Sequence, residues 1–270
     1  MSRISETFQR LRRADSTALM PYLTMGYPAR DSALSLVPAL VDAGADLIEL
    51  GVPFSDPLAD GPTIQAASQR ALQNGMTLAL CLEQAEDLRT KGVTVPFVLM
   101  GYYNPIFQFG LERFASRAAE AGIDGLIVPD LPPEEAELAQ SLFRKQELDL
   151  VFLLAPTSNA GRRALVTQCS AGFVYMVSVV GVTGARDRIA GNLVDFVHDV
   201  RALTDKPLAV GFGISTPEQA ADVARIADGV IVGSALIKRL ADAADPALAA
   251  GEFVGLLKAA MDRVTSVTSP

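Results

Sequence analysis

One acidic residue, Glu49, interrupts an apolar segment with the composition of a buried strand, Leu47-Ile48-Glu49-Leu50. An ionised carboxylate in such a strand is costly unless it is paired with a cation or becomes neutral. Burial raises the pKa of a carboxyl group, which suits it to donate and accept protons near neutral pH. Because ionisable groups in unfavourable surroundings cluster at functional sites, we interpret Glu49 as a candidate acid–base residue. The structural alternatives are an ion pair or an outward-facing strand end.

Two further carboxylates, Asp56 and Asp60, follow Glu49 in a loop that contains three prolines and two glycines. Loops positioned by a rigid scaffold often carry catalytic side chains. Asp-Pro and Asp-Gly pairs are also common in ordinary turns. The composition of this loop therefore fits a functional and a structural role equally well.

Two glycine-containing segments, Gly211-Phe212-Gly213 and Gly233-Ser234, follow consecutive apolar runs late in the chain. Glycine lets backbone N–H groups approach an anion, and the positive end of the helix after Gly233 favours negative charge. We therefore predict a phosphate-binding cradle, with simple tight turns as the alternative. The glycine-flanked segment 181–186 is typical of a mobile lid, with a flexible surface loop as its alternative.

The chain has one histidine and two cysteines, which limits the catalytic and metal-binding groups it can offer. The only histidine, His198, lies in a helical stretch, which comes close to excluding histidine metal sites and Ser-His-Asp triads. Cys81 and Cys169 are far apart and belong to no metal-spaced motif, so we expect free thiols in a reducing cytosol and no metal site. Acid–base chemistry is left to carboxylates, tyrosines, lysines or cysteines.

The net charge of −8 argues against a nucleic-acid-binding surface. No apolar run reaches the roughly 18 residues that a membrane-spanning helix needs. The N-terminus has no apolar region of the kind found in signal peptides. We therefore expect a cytoplasmic protein without nucleic-acid or membrane partners.

Short apolar runs alternate with amphipathic helical stretches along the whole chain, which is the pattern of βαβ units with strands buried on both faces. Eight runs are candidate strands: residues 19–24, 46–51, 96–100, 123–128, 148–154, 173–178, 207–211 and 229–232. Residue chemistry also marks helices. Thr216 and Gln219 are spaced as a capping box, and Pro38 lies inside a helical stretch that it should kink.

Eight strands, each followed by a helix, suit a chain of 270 residues, because (β/α)8 barrels have roughly 250 residues. We predict a single (β/α)8-barrel (TIM-barrel) domain over residues 1–270, with an extra N-terminal helix whose apolar face holds Ile4, Phe8 and Leu11. A doubly wound open sheet is the alternative, weakened because no G-x-G-x-x-G follows the first strand. In a barrel, Glu49 and the two glycine segments all meet at the C-terminal ends of the strands, where such enzymes have their active sites.

The segment 47–65, LIELGVPFSDPLADGPTIQ, resembles the signature of tryptophan synthase alpha subunits. PYLTMGYP, GYYNP, VPDLPPEE, LAPTS, GVTGAR, GFGIS and VGSALIK extend the resemblance over essentially the whole chain. The chain departs from the family at Val179 and Val180, where the lid usually has a polar residue.

The resemblance implies retro-aldol cleavage of indole-3-glycerol phosphate into indole and glyceraldehyde 3-phosphate. It implies that Glu49 is the acid–base group and that Asp60 stabilises the positive charge at the indole N–H. Thr183 would close the lid toward Asp60. The implied apolar pocket consists of Tyr22, Leu99, Leu126 and Tyr175, and the implied phosphate site of Gly184, Gly213, Gly233 and Ser234.

The resemblance also implies a partner, a beta subunit that carries pyridoxal phosphate and joins the chain in an alpha2-beta2 complex. Pyridoxal phosphate is then expected only on the partner, and no cofactor on this chain. The implied contact residues lie in three loops: Pro53, Asp56, Pro57, Asn104, Pro105, Asp130 and Pro132.

Two other functions remain open. A barrel isomerase acting on another phosphosugar would need lysine or histidine bases, which the strand-to-helix junctions do not show. A non-catalytic subunit that only activates a partner would have no use for the retained Glu49 and Asp60.

Overall fold

The computed structural model describes residues 2–178, 186–211 and 213–268, and side chains at 186–192 and 265–268 are outside the description. The predicted lid residues Thr183 and Gly184, the valines Val179 and Val180, and Phe212 of the glycine segment therefore lie outside the described residues.

Parallel strands form one closed sheet in the described part of the chain. They are β1 (Ala18–Thr24), β2 (Ile48–Gly51), β3 (Phe97–Met100), β4 (Gly125–Ile127), β5 (Asp149–Val151), β6 (Leu153–Leu154), β7 (Val174–Val177), β8 (Leu208–Gly211) and β9 (Gly229–Val232). Their order is β5-β4-β3-β2-β1-β9-β8-β7-β6. Because Phe152 alone separates β5 from β6, the sheet begins and ends on the same short segment and closes into a barrel.

The fifth predicted strand, residues 148–154, is divided at Phe152 into β5 and β6, which corrects the expected count of eight. The physical reason is a change of hydrogen-bonding neighbour. β5 pairs with β4, whereas β6 pairs with β7. At the break, the Phe152 N–H donates to Ser170 Oγ at 3.1 Å, and the Phe152 carbonyl accepts from the Tyr175 N–H at 3.1 Å.

Helices surround the barrel, and α1 precedes the first strand, as predicted. The helices are α1 (Arg3–Arg13), α2 (Ala33–Asp42), α3 (Pro62–Gln73), α4 (Leu78–Thr90), α5 (Tyr103–Phe109), α6 (Leu111–Glu120), α7 (Glu137–Lys145), α8 (Ala160–Cys169), α9 (Arg186–Arg201), α10 (Pro217–Ala224), α11 (Ser234–Ala241) and α12 (Pro246–Thr268). Ile4, Phe8 and Leu11 of α1 are buried, which confirms its predicted apolar face. In the described part of the chain, no helix has the length and apolarity needed to span a membrane.

The residues that mark helix boundaries behave largely as their chemistry predicts. The Thr216 side chain accepts a hydrogen bond from the Gln219 N–H, and the Gln219 side chain accepts one from the Thr216 N–H, so the capping box of α10 is confirmed. Pro38 lies within α2, and the helix extends past it to Asp42. The helix therefore continues beyond Pro38, which has no N–H to donate, and the kink expected there stays a prediction.

The N-terminal ends of the strands are braced by a buried ion pair. Asp124, directly before β4, accepts hydrogen bonds from Arg89 Nη2 at 2.7 Å and from the Phe97 N–H at 2.8 Å. Arg3 of α1 reaches the same carboxylate at 2.9 Å. In barrel enzymes this end serves stability, which leaves the opposite end for chemistry.

Candidate active site

A cavity of about 210 Å³ opens at the C-terminal ends of the strands. Its wall combines carboxylates, tyrosines, glycines and aliphatic side chains from several strands and loops. The lining residues are Tyr22, Glu49, Asp60, Gly61, Pro62, Thr63, Ile64, Met100, Tyr175, Gly213, Ile214, Ile231, Gly233 and Ser234. The structure therefore brings both predicted carboxylates and three residues of the predicted phosphate cradle into one cavity.

Glu49 lies in the middle of β2 and is only 2% exposed. Its Oε2 atom is buried and accepts no hydrogen bond from the described residues. Burial, and secondarily the negative charge of Asp60, raises the pKa of Glu49 from 4.5 to about 8. Since no described lysine or arginine forms an ion pair with it, the ion-pair alternative lacks support among these residues. A carboxyl group with this pKa holds its proton at neutral pH and can donate it.

Asp60 lies in the loop between β2 and α3 and is half-buried. Burial raises the pKa of Asp60 above 3.8, and a hydrogen bond with the Tyr102 side chain opposes that rise. The negative charge of Asp60 also raises the pKa values of Glu49 and Tyr22. The two carboxyl groups are thus electrostatically coupled and face the same cavity.

The loop that carries Asp60 is held at both ends by hydrogen bonds. Near its start, the Phe54 N–H donates to Ser68 Oγ at 2.8 Å, and that hydroxyl donates to the Phe54 carbonyl at 3.0 Å. Near its end, Gln65 Nε2 donates to the Asp60 carbonyl at 2.8 Å. Both anchors, Ser68 and Gln65, belong to α3, so this helix sets the position of the loop.

Two buried tyrosines occupy space left free by glycines on neighbouring strands. A Cβ atom at Gly51 would lie 2.1 Å from the Tyr22 hydroxyl oxygen, and one at Gly211 would lie 2.4 Å from that of Tyr175. Any side chain at either glycine would displace a ring. Burial raises the pKa of both tyrosines well above 10, so both hydroxyls remain protonated.

The predicted phosphate residues line the cavity after β8 and β9. Gly233 precedes the first turn of α11, and Ser234 is the first residue of that helix. Gly213, after β8, has a φ of +79°, a conformation that L side chains rarely adopt. A helix N-terminus beside a glycine turn presents N–H groups and a positive dipole, which is a suitable arrangement for a phosphate group.

Leu99 and Leu126 correct the predicted apolar pocket. Both are buried in β3 and β4, where they pair with each other in register, but neither lines the cavity. Side chains alternate between the two faces of a strand, and registered neighbours share a face. Glu49 is registered with Val98, so Leu99 and Leu126 lie on the opposite face. Met100, one residue further along β3, lines the cavity instead.

Other lining residues were missed, and most of them come from turns and from the start of a helix. Gly61, Pro62, Thr63 and Ile64 come from the beginning of α3, whereas Ile214 and Ile231 come from the region of β8 and β9. The signature segment 47–65 already contained the α3 residues, so their place directly after Asp60 was the available signal.

Most residues predicted to face a partner are at least partly exposed, in the loops after β2 and β4 and at the start of α5. Asp56, Asn104 and Asp130 are exposed, and Pro57, Pro105 and Pro132 are half-buried. Pro53 is the exception, because the fold buries it. Two large apolar side chains in the same segments, Leu58 and Phe107, are 92% and 56% exposed.

Within the described residues, no three His, Cys, Asp or Glu side chains are grouped so that they could hold a metal ion. Cys81 is buried and Cys169 is half-buried, both as free thiols. The fold and the cavity together define a class, the (β/α)8-barrel enzymes with carboxylates at the C-terminal mouth of the barrel.

Comparisons with known proteins specify the class further. The family model described as "Tryptophan synthase alpha chain" matches residues 8–262. The tryptophan synthase alpha chain of Chloroflexus aurantiacus is 58% identical over 240 residues, 89% of this chain and 90% of the relative. That of Roseiflexus castenholzii is 55% identical over 260 residues, 96% of this chain and all of the relative.

Solved structures agree with the sequence matches. Tryptophan synthase subunit alpha from Legionella pneumophila superposes with a TM-score of 0.91 at 40% identity, covering 97% of this chain and 99% of that one. A chain from the crystal structure of tryptophan synthase from M. tuberculosis, in an aminoacrylate-bound form, gives a TM-score of 0.87 at 37% identity, covering 97% and 100%. The chain belongs to the tryptophan synthase alpha chain family. Its reaction is the lyase cleavage of indole-3-glycerol phosphate.

Proposed function

We propose that Glu49 and Asp60 carry out the cleavage of indole-3-glycerol phosphate. The bond that breaks joins indole C3 to the hydroxylated first carbon of the side chain. C3 must gain a proton, which places a positive charge on the indole nitrogen, and the adjacent hydroxyl must lose one as the aldehyde forms. One proton is added and one is removed, so the products are neutral indole and glyceraldehyde 3-phosphate.

Glu49 is the proton carrier in this proposal. The observation that carries the proposal is its burial inside the cavity wall, 2% exposed and with a pKa raised to about 8 by burial. It begins the cycle protonated, donates to C3 and then accepts the proton of the hydroxyl. A single carboxyl group thus serves both steps and returns to its starting state.

Asp60 acts by electrostatics. A carboxylate near the indole N–H stabilises the positive charge that C3 protonation creates, and a partly dehydrated cavity strengthens that attraction. The coupling between Asp60 and the pKa of Glu49 supports a common position around one substrate. The indole ring would lie against aliphatic side chains of the cavity wall, including Met100, Ile64 and Ile231.

The phosphate group is held by backbone groups in this proposal. Gly213, Gly233 and Ser234 supply the N-terminus of α11 and the neighbouring turn. Thr183 and Gly184, in the segment 179–185 outside the described residues, complete the site as lid residues.

The proposed partner is a beta subunit that binds pyridoxal phosphate itself, in an alpha2-beta2 complex. Exposed Asp56, Asn104 and Asp130 near the cavity, with apolar Leu58 and Phe107 among them, support a protein-binding surface at this end. The chain is further proposed to form one domain and to work in the cytoplasm.

Incubation of the purified chain with indole-3-glycerol phosphate tests the proposed function. We expect equimolar indole and glyceraldehyde 3-phosphate, with a Glu49→Gln variant as the inactive control. Absence of indole both from the chain alone and from its mixture with a cognate beta subunit would overturn the proposal. The cavity wall has no lysine or histidine among its described residues, so a base-catalysed sugar isomerase is the poorer candidate.

A further inference from the structure

Tyr102, two residues after β3 and directly before α5, is buried but does not line the cavity. Its hydroxyl oxygen accepts a hydrogen bond from the Ala59 N–H at 3.0 Å. Its ring stacks on Phe54, with the centroids 5.2 Å apart and the planes 29° apart. One side chain therefore contacts both the beginning and the end of the loop that carries Asp60.

The Tyr102 hydroxyl also acts on the Asp60 carboxyl group. A phenol has one O–H donor, and the bond from Ala59 occupies a lone pair of the oxygen. The O–H donor remains available for the neighbouring Asp60 carboxyl group, whose pKa the Tyr102 side chain lowers. Tyr102 thus holds the backbone at residue 59 and acts on the carboxyl group of residue 60, so it sets the position of the loop directly beside the Asp60 side chain.

Tyr102 also lies where the partner-facing loops meet. It touches the loop that contains Asp56 and precedes the segment that contains Asn104. The next residue, Tyr103, donates its N–H to Asp130 Oδ1 at 2.9 Å, which ties in the loop after β4. Residues 102 and 103 therefore join the loops after β2, β3 and β4.

We propose that Tyr102 is a positioning residue that orients Asp60 toward the substrate and links it to the three loops where a partner binds. The inference rests on the proposed function of Asp60. It predicts that loss of the hydroxyl weakens catalysis without weakening phosphate binding, since the phosphate glycines Gly213 and Gly233 follow β8 and β9.

The first test compares Tyr102→Phe with the matched control Tyr103→Phe, which removes a hydroxyl from the adjacent residue. A hydrogen bond to a charged group is worth roughly a tenfold to hundredfold change in rate. We expect Tyr102→Phe to lower kcat by about that factor, with KM for indole-3-glycerol phosphate changed by less than about threefold. The control should keep the kcat of the unchanged chain. Equal kcat values for the two variants would overturn the inference.

A second readout separates positioning from simple support of the fold. The Tyr102 side chain lowers the pKa of Asp60, so loss of its hydroxyl should move the acidic limb of the pH–rate profile to higher pH. The groups coupled to Asp60, namely Glu49, Tyr22 and Tyr175, remain in place, and the basic limb should not move. An unmoved acidic limb would refute a role through Asp60, whatever the melting temperature of the variant.

The link to the partner is tested by adding a saturating cognate beta subunit. We expect a smaller fold-activation for Tyr102→Phe than for Tyr103→Phe, and equal fold-activation would refute the link. If the unchanged chain releases no indole, the proposed function fails. If it releases indole and the two variants behave alike, only the present inference fails.

Discussion

Replacement of Glu49 by glutamine removes the proton carrier but keeps the shape of the side chain and its capacity to hydrogen-bond. Loss of a positioned acid–base group typically lowers a rate by about 10²–10⁴-fold. The loss here should reach or exceed the upper end, because the same group serves C3 protonation and hydroxyl deprotonation. Binding of a non-reactive analogue, 3-(indol-3-yl)propyl phosphate, should persist, since the phosphate cradle and the aliphatic wall are unchanged.

The same substitution has a predictable effect on stability. Burial raises the pKa of Glu49 from 4.5 to about 8, so between these values the folded chain keeps a proton that the unfolded chain releases. The free energy of unfolding then falls by about 1.4 kcal/mol for each pH unit in this interval. Over the interval the loss is on the order of 5 kcal/mol, an upper figure for a group with this burial. Glutamine does not titrate, so the variant should avoid the loss.

Single-turnover indole release, analogue affinity and melting temperature at pH 5 and pH 9 test this reasoning together. We expect Glu49→Gln to melt near the unchanged chain at pH 5 and above it at pH 9. Glu120→Gln, on the exposed side of α6, is the control and should match the unchanged chain throughout. Near-normal turnover in Glu49→Gln would show that another residue carries the proton. A variant that melts far lower at both pH values would show that Glu49 is a structural residue.

Three further outcomes follow from the site. The kcat/KM of the chain should fall above pH about 8, because Glu49 must be protonated to begin the cycle. The acidic limb of the same pH profile should lie above pH 3.8, because burial raises the pKa of Asp60 above that value. A profile that is flat to pH 10 would contradict this. Gly233→Asp should raise KM by about tenfold or more, because the new carboxylate repels the phosphate group of the substrate. Gly233→Ala is the control for steric effects, since its Cβ would lie 3.3 Å from Tyr22 Cδ1. Equal KM values for these two variants would refute the repulsion. A saturating cognate beta subunit should raise the turnover of the chain, because binding to the loops around the cavity can favour the active conformation; unchanged turnover would count against it.

The architecture and the main carboxylates could be predicted because they depend on local pattern. Apolar runs of strand length that alternate with helical periodicity indicate a parallel barrel, and a carboxylate inside such a run stands out by type alone. The junction rule for barrels then places Glu49 and the glycine segments together without any contact information.

The remaining details depend on register and long-range hydrogen bonds, which residue types do not reveal. Leu99 and Met100 are both apolar neighbours on β3, and only the pairing of Val98 with Glu49 shows which one faces the cavity. The break at Phe152 arises because the backbone changes its neighbouring strand, and nothing in the apolar run marks that residue. The contact of Tyr102 with Ala59 joins residues 43 positions apart in the sequence.

Cleavage of indole-3-glycerol phosphate by the purified chain in D₂O, with both products examined by NMR, tests the central claim most directly. Protonation of C3 by an exchangeable carboxyl group predicts indole with deuterium at C3. The glyceraldehyde 3-phosphate formed with it should retain protium at the aldehyde carbon, because the hydrogen on that carbon never leaves. Glu49→Gln should yield neither product in the same time. Deuterium exchange on the sugar carbons without release of indole would indicate isomerase chemistry and would contradict the account.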